Sequence, residues 1–273
     1  MPRRGQGWRR LRTPPSDAMI GFDYGNWLMV FLRASALLTV FPLLSARNFP
    51  VQLRLALGML LAALVSPTLP PAHLGALSLT GLVGRMAGEV LAGLALGFAS
   101  RIVFYALDMA GALIANEMGL NLPAGVNPFA DAQNVAPGLI LYYLAAMIFL
   151  SLDLHHWLLL GFQRSYTVLP VGGAGMSEAL VVDLIRRTNE TFGLAIRLAA
   201  PFIGVSFIVT TVFSVLGRAV SQMNVFSEMF AIRTLAGLTV FGLSCQLLAQ
   251  HIMNYLRRLP EDVLSVAQLL GAR

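Results

Sequence analysis

The stretch GLVGRMAGEVLAGLALGFASRIVFYALDMAGALIANEMGL, residues 81–120, decides the fold. Its apolar part, 82–115, is longer than the roughly 20 residues a helix needs to cross a bilayer, yet it carries Arg85, Glu89, Arg101 and Asp108. At about 100° per residue Arg85 and Glu89 share one helix face, and Arg101 and Asp108 share another about 130° away. Each such group costs a few kcal/mol inside a membrane and should face the bundle interior, water or a partner. Two readings stay open: local pairs that merely neutralise each other, or polar groups holding this helix against other protein. Gly84-x-x-x-Gly88 and Gly93-x-x-x-Gly97 add surfaces for close helix packing.

Five further apolar windows surround this one, at 27–45, 53–69, 137–161, 192–216 and 229–256. The whole chain of 273 residues is 57% apolar and 12% charged, against about a quarter charged in an ordinary soluble domain. A large soluble core would need charged amphipathic helices to cover it, and none is evident. The expectation is an all-α, polytopic helical membrane protein with about six apolar helices and an irregular loop after the third. All 19 basic residues are arginine and the net charge is +6. They are spread singly through apolar sequence instead of lining one face, so nucleic-acid binding is not expected. Cys245 stands alone in FGLSCQLL, which excludes an internal disulfide.

Residues 1–18, with Arg3, Arg4, Arg9, Arg10 and Arg12, form a basic extension before the first window. That window is as long as a membrane span and ends in LLSAR, without the small-residue pair of a cleavage site, so it reads as a retained helix. Met19 is an alternative start. With six spans and both ends inside, the cytoplasmic side holds those five arginines, Arg164, Arg186 and Arg187, and Arg257, Arg258 and Arg273; the other side holds Arg47, Arg54 and Arg218. Short cytoplasmic loops collect arginine, so both ends are expected in the cytoplasm.

Residues 116–138, NEMGLNLPAGVNPFADAQNVAPG, carry too much proline and glycine for a regular helix. Such a segment is either an exposed loop or backbone lining a protein-enclosed cavity, since lipid cannot satisfy its polar groups. Met118, Leu120, Leu122, Val126 and Phe129 punctuate it and suit a compact plug.

Other constellations are weaker. Asp153, His155 and His156 lack the spacing of a zinc-protease motif. No nucleophile elbow, phosphate-binding loop or paired-cysteine motif occurs, so neither catalysis nor a cofactor is expected. Arg197 with Pro201, and Arg233 with Gln246, Gln250 and His251, make two later helices too polar for an all-lipid surface.

EMGLNLPAGVNPFADAQNVAPG followed by FLSLDLHHWLLLGFQRSYTVLPVG resembles the central region of the FliR family of flagellar export-gate subunits and their virulence-system counterparts, the SctT-like proteins. RASALLTVFP (Arg33 to Pro42), FPVQLRLAL (Phe49 to Leu57), GEVLAGLALGFASR (Gly88 to Arg101), RLAAPF (Arg197 to Phe202) and QMNVF (Gln222 to Phe226) extend the likeness from about Met19 to about Gly271. The resemblance implies a non-enzymatic part of the type III export gate, a channel for unfolded proteins, in the bacterial inner membrane at the flagellar basal body. It implies FliP-like and FliQ-like partners and an FlhB-like subunit. It divides the chain into the extension 1–18, a FliP-like helical part 19–190 containing the loop 116–138, and a FliQ-like hairpin with its tail, 191–273. It places a plug at Glu117 to Ala130, with Glu117, Met118, Gly119, Leu120, Leu122, Pro123, Val126, Pro128 and Phe129 at the constriction. Glu117 departs from the glutamine common in the family. A virulence-system gate is the alternative. A secondary transporter would show paired broken helices in two similar halves, and the interruption here is single.

Overall fold

A computed structural model describes residues 23–45, 49–71, 78–120, 136–173, 177–219 and 224–271. The extension 1–18, Met19, and the plug candidates Leu122, Pro123, Val126, Pro128 and Phe129 lie outside the described residues. Within them every regular element is helical: α1 Tyr24–Val40, α2 Val51–Val65 with a 3-10 turn to Thr68, α3 Leu79–Glu117, α4 Ala136–Ser151, α5 Leu154–Val168, α6 Glu178–Ala219, α7 Val225–Leu256 and α8 Leu259–Gly271. The all-α membrane architecture therefore holds, with four helices among the described residues long and apolar enough to cross a bilayer, or five if the bent pair α4 and α5 is one span.

The loop expected at 116–138 is shorter, because α3 continues through Glu117 and α4 already starts at Ala136, with Pro137 in its first turn, where a missing N–H costs nothing. Three other boundaries differ from the sequence expectation, each for a local reason. The first window stops early: α1 has 17 residues because Phe41, which precedes Pro42, turns extended at φ −54° and ψ 127°. The fourth window is not one straight helix, since α4 and α5 meet at 70°. Asp153 sits at that corner in the left-handed region, φ 53°, which a short polar side chain tolerates better than most. The third difference lies at Arg186 and Arg187, expected in a loop; α6 begins at Glu178 and carries both inside its first turns.

α3 is the axis of the molecule. Of its spanning window 61% is buried within the chain, against 22% for α6 and 11% for Ser227–Gly271. Its 39 residues run about 58 Å, and small residues let neighbours approach it. A Cβ on Gly93 would stand 2.3 Å from the Arg33 carbonyl oxygen, and one on Gly97 would stand 2.9 Å from Val40 Cβ, so α1 crosses α3 almost backbone to backbone. On the far side α4 runs antiparallel, Gly138 meeting Gly111 and Tyr142 meeting Phe104. Gly84 is not used this way, since nothing lies within 4 Å of a Cβ there; with Gly88 it borders an open apolar groove of about 360 Å³ lined by Leu91, Leu180, Leu184 and Leu270.

α7 turns back along α6, the rings of Phe202 and Phe241 lying 5.9 Å apart. The boundary expected between 190 and 191 falls inside α6, which is continuous. α8 packs against α5, α3 and the start of α6. Arg187, buried, donates from Nε to Asp183 Oδ2 and from its two terminal nitrogens to Asp262 Oδ1 and Ser265 Oγ, all at 2.6 Å. Arg186 pairs with the same Asp183.

Candidate functional site: the end of α3 and its contacts with α7

The segment that the sequence marks as irregular follows α3, and the end of α3 is built by a specific cap. Gly119 adopts φ +73°, its N–H donates to Asn116 O at 3.1 Å, and the Leu120 N–H donates to Ala115 O at 2.9 Å. These are the two reverse bonds of a Schellman motif, which needs a left-handed residue after the cap and so favours glycine.

One face of α7 receives this cap. Arg233 Nε donates to the Glu117 carbonyl at 2.6 Å and its Nη2 to Glu117 Oε2 at 2.9 Å, while Thr234 Oγ1 donates to the Met118 carbonyl at 2.9 Å. Met118 is buried and fills the space over Gly237, where a Cβ would stand 2.5 Å from Met118 Cγ. Phe230 lies against Gly119, 3.1 Å from where a Cβ would be. Phe230, Arg233, Thr234 and Gly237 are spaced i, i+3, i+4 and i+7, which is a single helical stripe. A carboxylate in the last turn of a helix opposes the helix dipole, and a guanidinium there favours it. Arg233 thus neutralises Glu117 and satisfies one of the carbonyls that a helix end leaves unpaired. Leu120 is exposed, so of the four described plug candidates only Met118 is packed inside the chain.

The second polar centre lies deeper. Arg33 and Glu89 are both wholly buried. Arg33 Nε donates to Glu89 Oε2 at 2.6 Å and Nη2 to Oε1 at 3.0 Å; Nη1 donates to Ser165 Oγ at 3.0 Å, and both terminal nitrogens reach Leu169 O at 3.3 Å. All five guanidinium donors are thereby used. Glu89 Oε1 also accepts from the Gly172 N–H at 2.7 Å, and the guanidinium carbon lies 4.0 Å from the Tyr166 ring centroid. α1, α3 and the end of α5 are joined at one charge pair.

The sequence model of the bacterial export proteins, family 1, matches residues 24–259, which include both centres and the segment between α3 and α4. The chain belongs to this family. It is 26% identical to the flagellar biosynthetic protein FliR of Escherichia coli over 252 residues, 90% of this chain and 96% of that protein. To FliR of Bacillus subtilis it is 29% identical, covering 73% and 78%. To the Yop proteins translocation protein T of Yersinia pestis it is 27% identical, covering 83% and 88%.

The remaining expected residues distribute differently. Arg85 does not pair with Glu89, because Arg33 occupies that carboxylate; its stem packs on Gly172, where a Cβ would stand 2.8 Å from Arg85 Cδ. Arg101 and Asp108 make no ion pair within 4.0 Å; Arg101 lies over the Tyr105 ring at 4.8 Å, and Asp108 is exposed. Arg197 is also exposed on its spanning helix. Asp153, His155 and His156 gather their donor atoms within 4.8 Å at the α4–α5 corner. His156 Nδ1 is 3.7 Å from Asp153 Oδ1, and both side chains are largely solvent-facing, without the hydrogen-bonded orientation that metal ligands receive.

Proposed function

We propose that this chain is a membrane-embedded subunit of the flagellar type III protein export gate, and that residues 116–138 close the channel through which unfolded flagellar proteins pass. The capture of Glu117–Gly119 by α7 carries the reading: the irregular segment starts from a fixed, buried anchor, where a solvated loop would fray. Family membership and the FliR relatives support the flagellar assignment; the Yersinia relative is why a virulence-system gate stays as the second reading. Within this proposal residues 19–190 are the FliP-like part, 191–273 are the FliQ-like hairpin with its tail, the chain sits in the inner membrane at the basal body, and both ends face the cytoplasm. Its work is mechanical and asks no catalytic group of it.

The partner reading follows from Asp108 and Arg197. Ionisable side chains exposed on spanning helices are costly against lipid and belong against water or other protein. Expressed with its native neighbours and purified through a C-terminal tag in mild detergent, the chain should bring down FliP-like and FliQ-like subunits together, with an FlhB-like subunit more loosely held. Recovery of the chain alone, folded and with none of these, would contradict the assignment.

A further inference from the structure

α3 is the most enclosed of the candidate spans, so what it leaves open is selective. From Gly84 to Ala112 every exposed residue of α3 falls on one register of alternating threes and fours. The middle of that register reads Leu91, Leu94, Phe98, Arg101, Tyr105 and Asp108, with Phe98 and Arg101 half-buried. The period is 3.5 residues, sustained from 84 to 112, which is the pattern of a coiled-coil seam; a helix that merely faces lipid needs no such repeat. Toward Gly84 the seam is already a trough, walled by Leu180 and Leu184 of α6 and Leu270 of α8. Toward Ala112 it carries charge that the chain leaves unanswered among the described residues. Arg101 Nε is buried without a hydrogen-bond acceptor, its guanidinium lying over the Tyr105 ring, and Asp108 is exposed and pairs with no arginine.

We propose that this seam receives a membrane-spanning helix of a different polypeptide, and that Arg101 and Asp108 select that helix by requiring an acidic and a basic side chain seven residues apart on it. The proposal rests on the reading of the chain as one subunit of a multi-chain membrane gate. Lipid could fill the apolar trough but would leave both charges unmet. Within a bilayer a helix brings its own backbone already satisfied, and its side chains can answer the charges. A second copy of this chain fails on symmetry. Packed parallel, each seam position meets itself, so Arg101 would face Arg101 and Asp108 would face Asp108. Packed antiparallel the charges would match, but copies of one chain insert in one orientation. Arg101 and Asp108 hold equivalent positions one heptad apart, about 10.5 Å along the axis, and this sets the spacing demanded of the partner.

The test is made in cells that express the native neighbours. The photocrosslinker p-benzoylphenylalanine, placed singly at the exposed positions Leu91, Leu94, Tyr105 or Ala112, should give adducts along one face of one membrane helix of another polypeptide, located by mass spectrometry. These adducts are read in an otherwise wild-type chain, so they stand whatever charge variants do to folding. R101E and D108K should each lower the yield of assembled complex roughly tenfold or more. The exchange R101E/D108K should not restore it, because each partner charge would then meet its like. Reversing the two matched charges on the crosslinked helix should restore the exchange variant. Recovery by the exchange alone would mean that the two residues serve only each other, and adducts to a second copy of this chain would replace the partner; either result overturns the proposal. A complex that retains its neighbours while all four positions give no protein adduct removes the seam and leaves the subunit reading standing. A folded chain recovered without neighbours removes both.

Discussion

Arg33→Leu should destabilise the chain by about 3–5 kcal/mol, and the same should hold for Glu89→Leu. Either substitution leaves a buried ion without its counter-charge: Glu89 would keep only the Gly172 N–H, and Arg33 would keep only Ser165 and Leu169 O. The double variant R33L/E89L removes both charges and should recover a large part of that loss, because the desolvation of a buried pair offsets much of its attraction. It would not recover everything. Ser165 and Leu169 O lose their donor, and the 169–172 segment loses the bond that fixes it on α3. Thermal unfolding of the detergent-solubilised protein, compared across the two singles and the double, measures the coupling. Additive losses would mean that the pair is not the joint between α1, α3 and α5.

Gly111→Ala should be among the most damaging single-carbon changes at the described residues, costing about 1–3 kcal/mol or more. The added Cβ would meet Gly138 Cα at 2.1 Å and Gly138 N at 2.6 Å, and no flexible side chain is there to give way. α4 would have to shift, dragging Tyr142 from Phe104 and from its 2.5 Å bond to the Pro42 carbonyl. Gly84→Ala is the matched control on the same helix, since nothing lies within 4 Å of a Cβ there. The readout is the melting temperature and the yield of assembled complex; equal behaviour of the two variants would contradict the close α3–α4 approach.

Particular residues show how far sequence reasoning reached. Length and hydrophobicity were enough to identify the long apolar helices, because a bilayer demands long apolar runs, but not the short α8, Leu259–Gly271, which lay in the expected tail. They could not place the α4–α5 corner, which depends on one backbone conformation at Asp153. Glu89 was legible as a charge needing a partner, and the helical wheel offered Arg85. The true partner, Arg33, lies 56 positions away, and helix-face arithmetic is blind to contacts between helices. A signal was present nonetheless: Arg33 is a lone charge in the first apolar window, open to the same argument as Glu89. Arg233 was likewise legible as a polar group in an apolar helix. That it meets Glu117, 116 positions earlier, and that Phe230, Thr234 and Gly237 complete its face, needed the fold. The resemblance located the segment and marked Glu117 as unusual; the structure supplies the counter-charge that lets it sit there.

The closing role of 116–138 is tested most directly by the permeability of the assembled gate. Proteoliposomes, or cells lacking substrate, would carry either the wild-type chain or M118A/L120A/L122A, and small-solute and ion flux would be followed at matched assembly. Met118 is buried against α7, so its truncation should weaken closure substantially, while exposed Leu120 contributes in proportion to what the partner subunits place against it. The expected result is an assembled complex with a leak well above wild type. An intact triple variant as tight as wild type would contradict the closing role and return 116–138 to the standing of an ordinary loop.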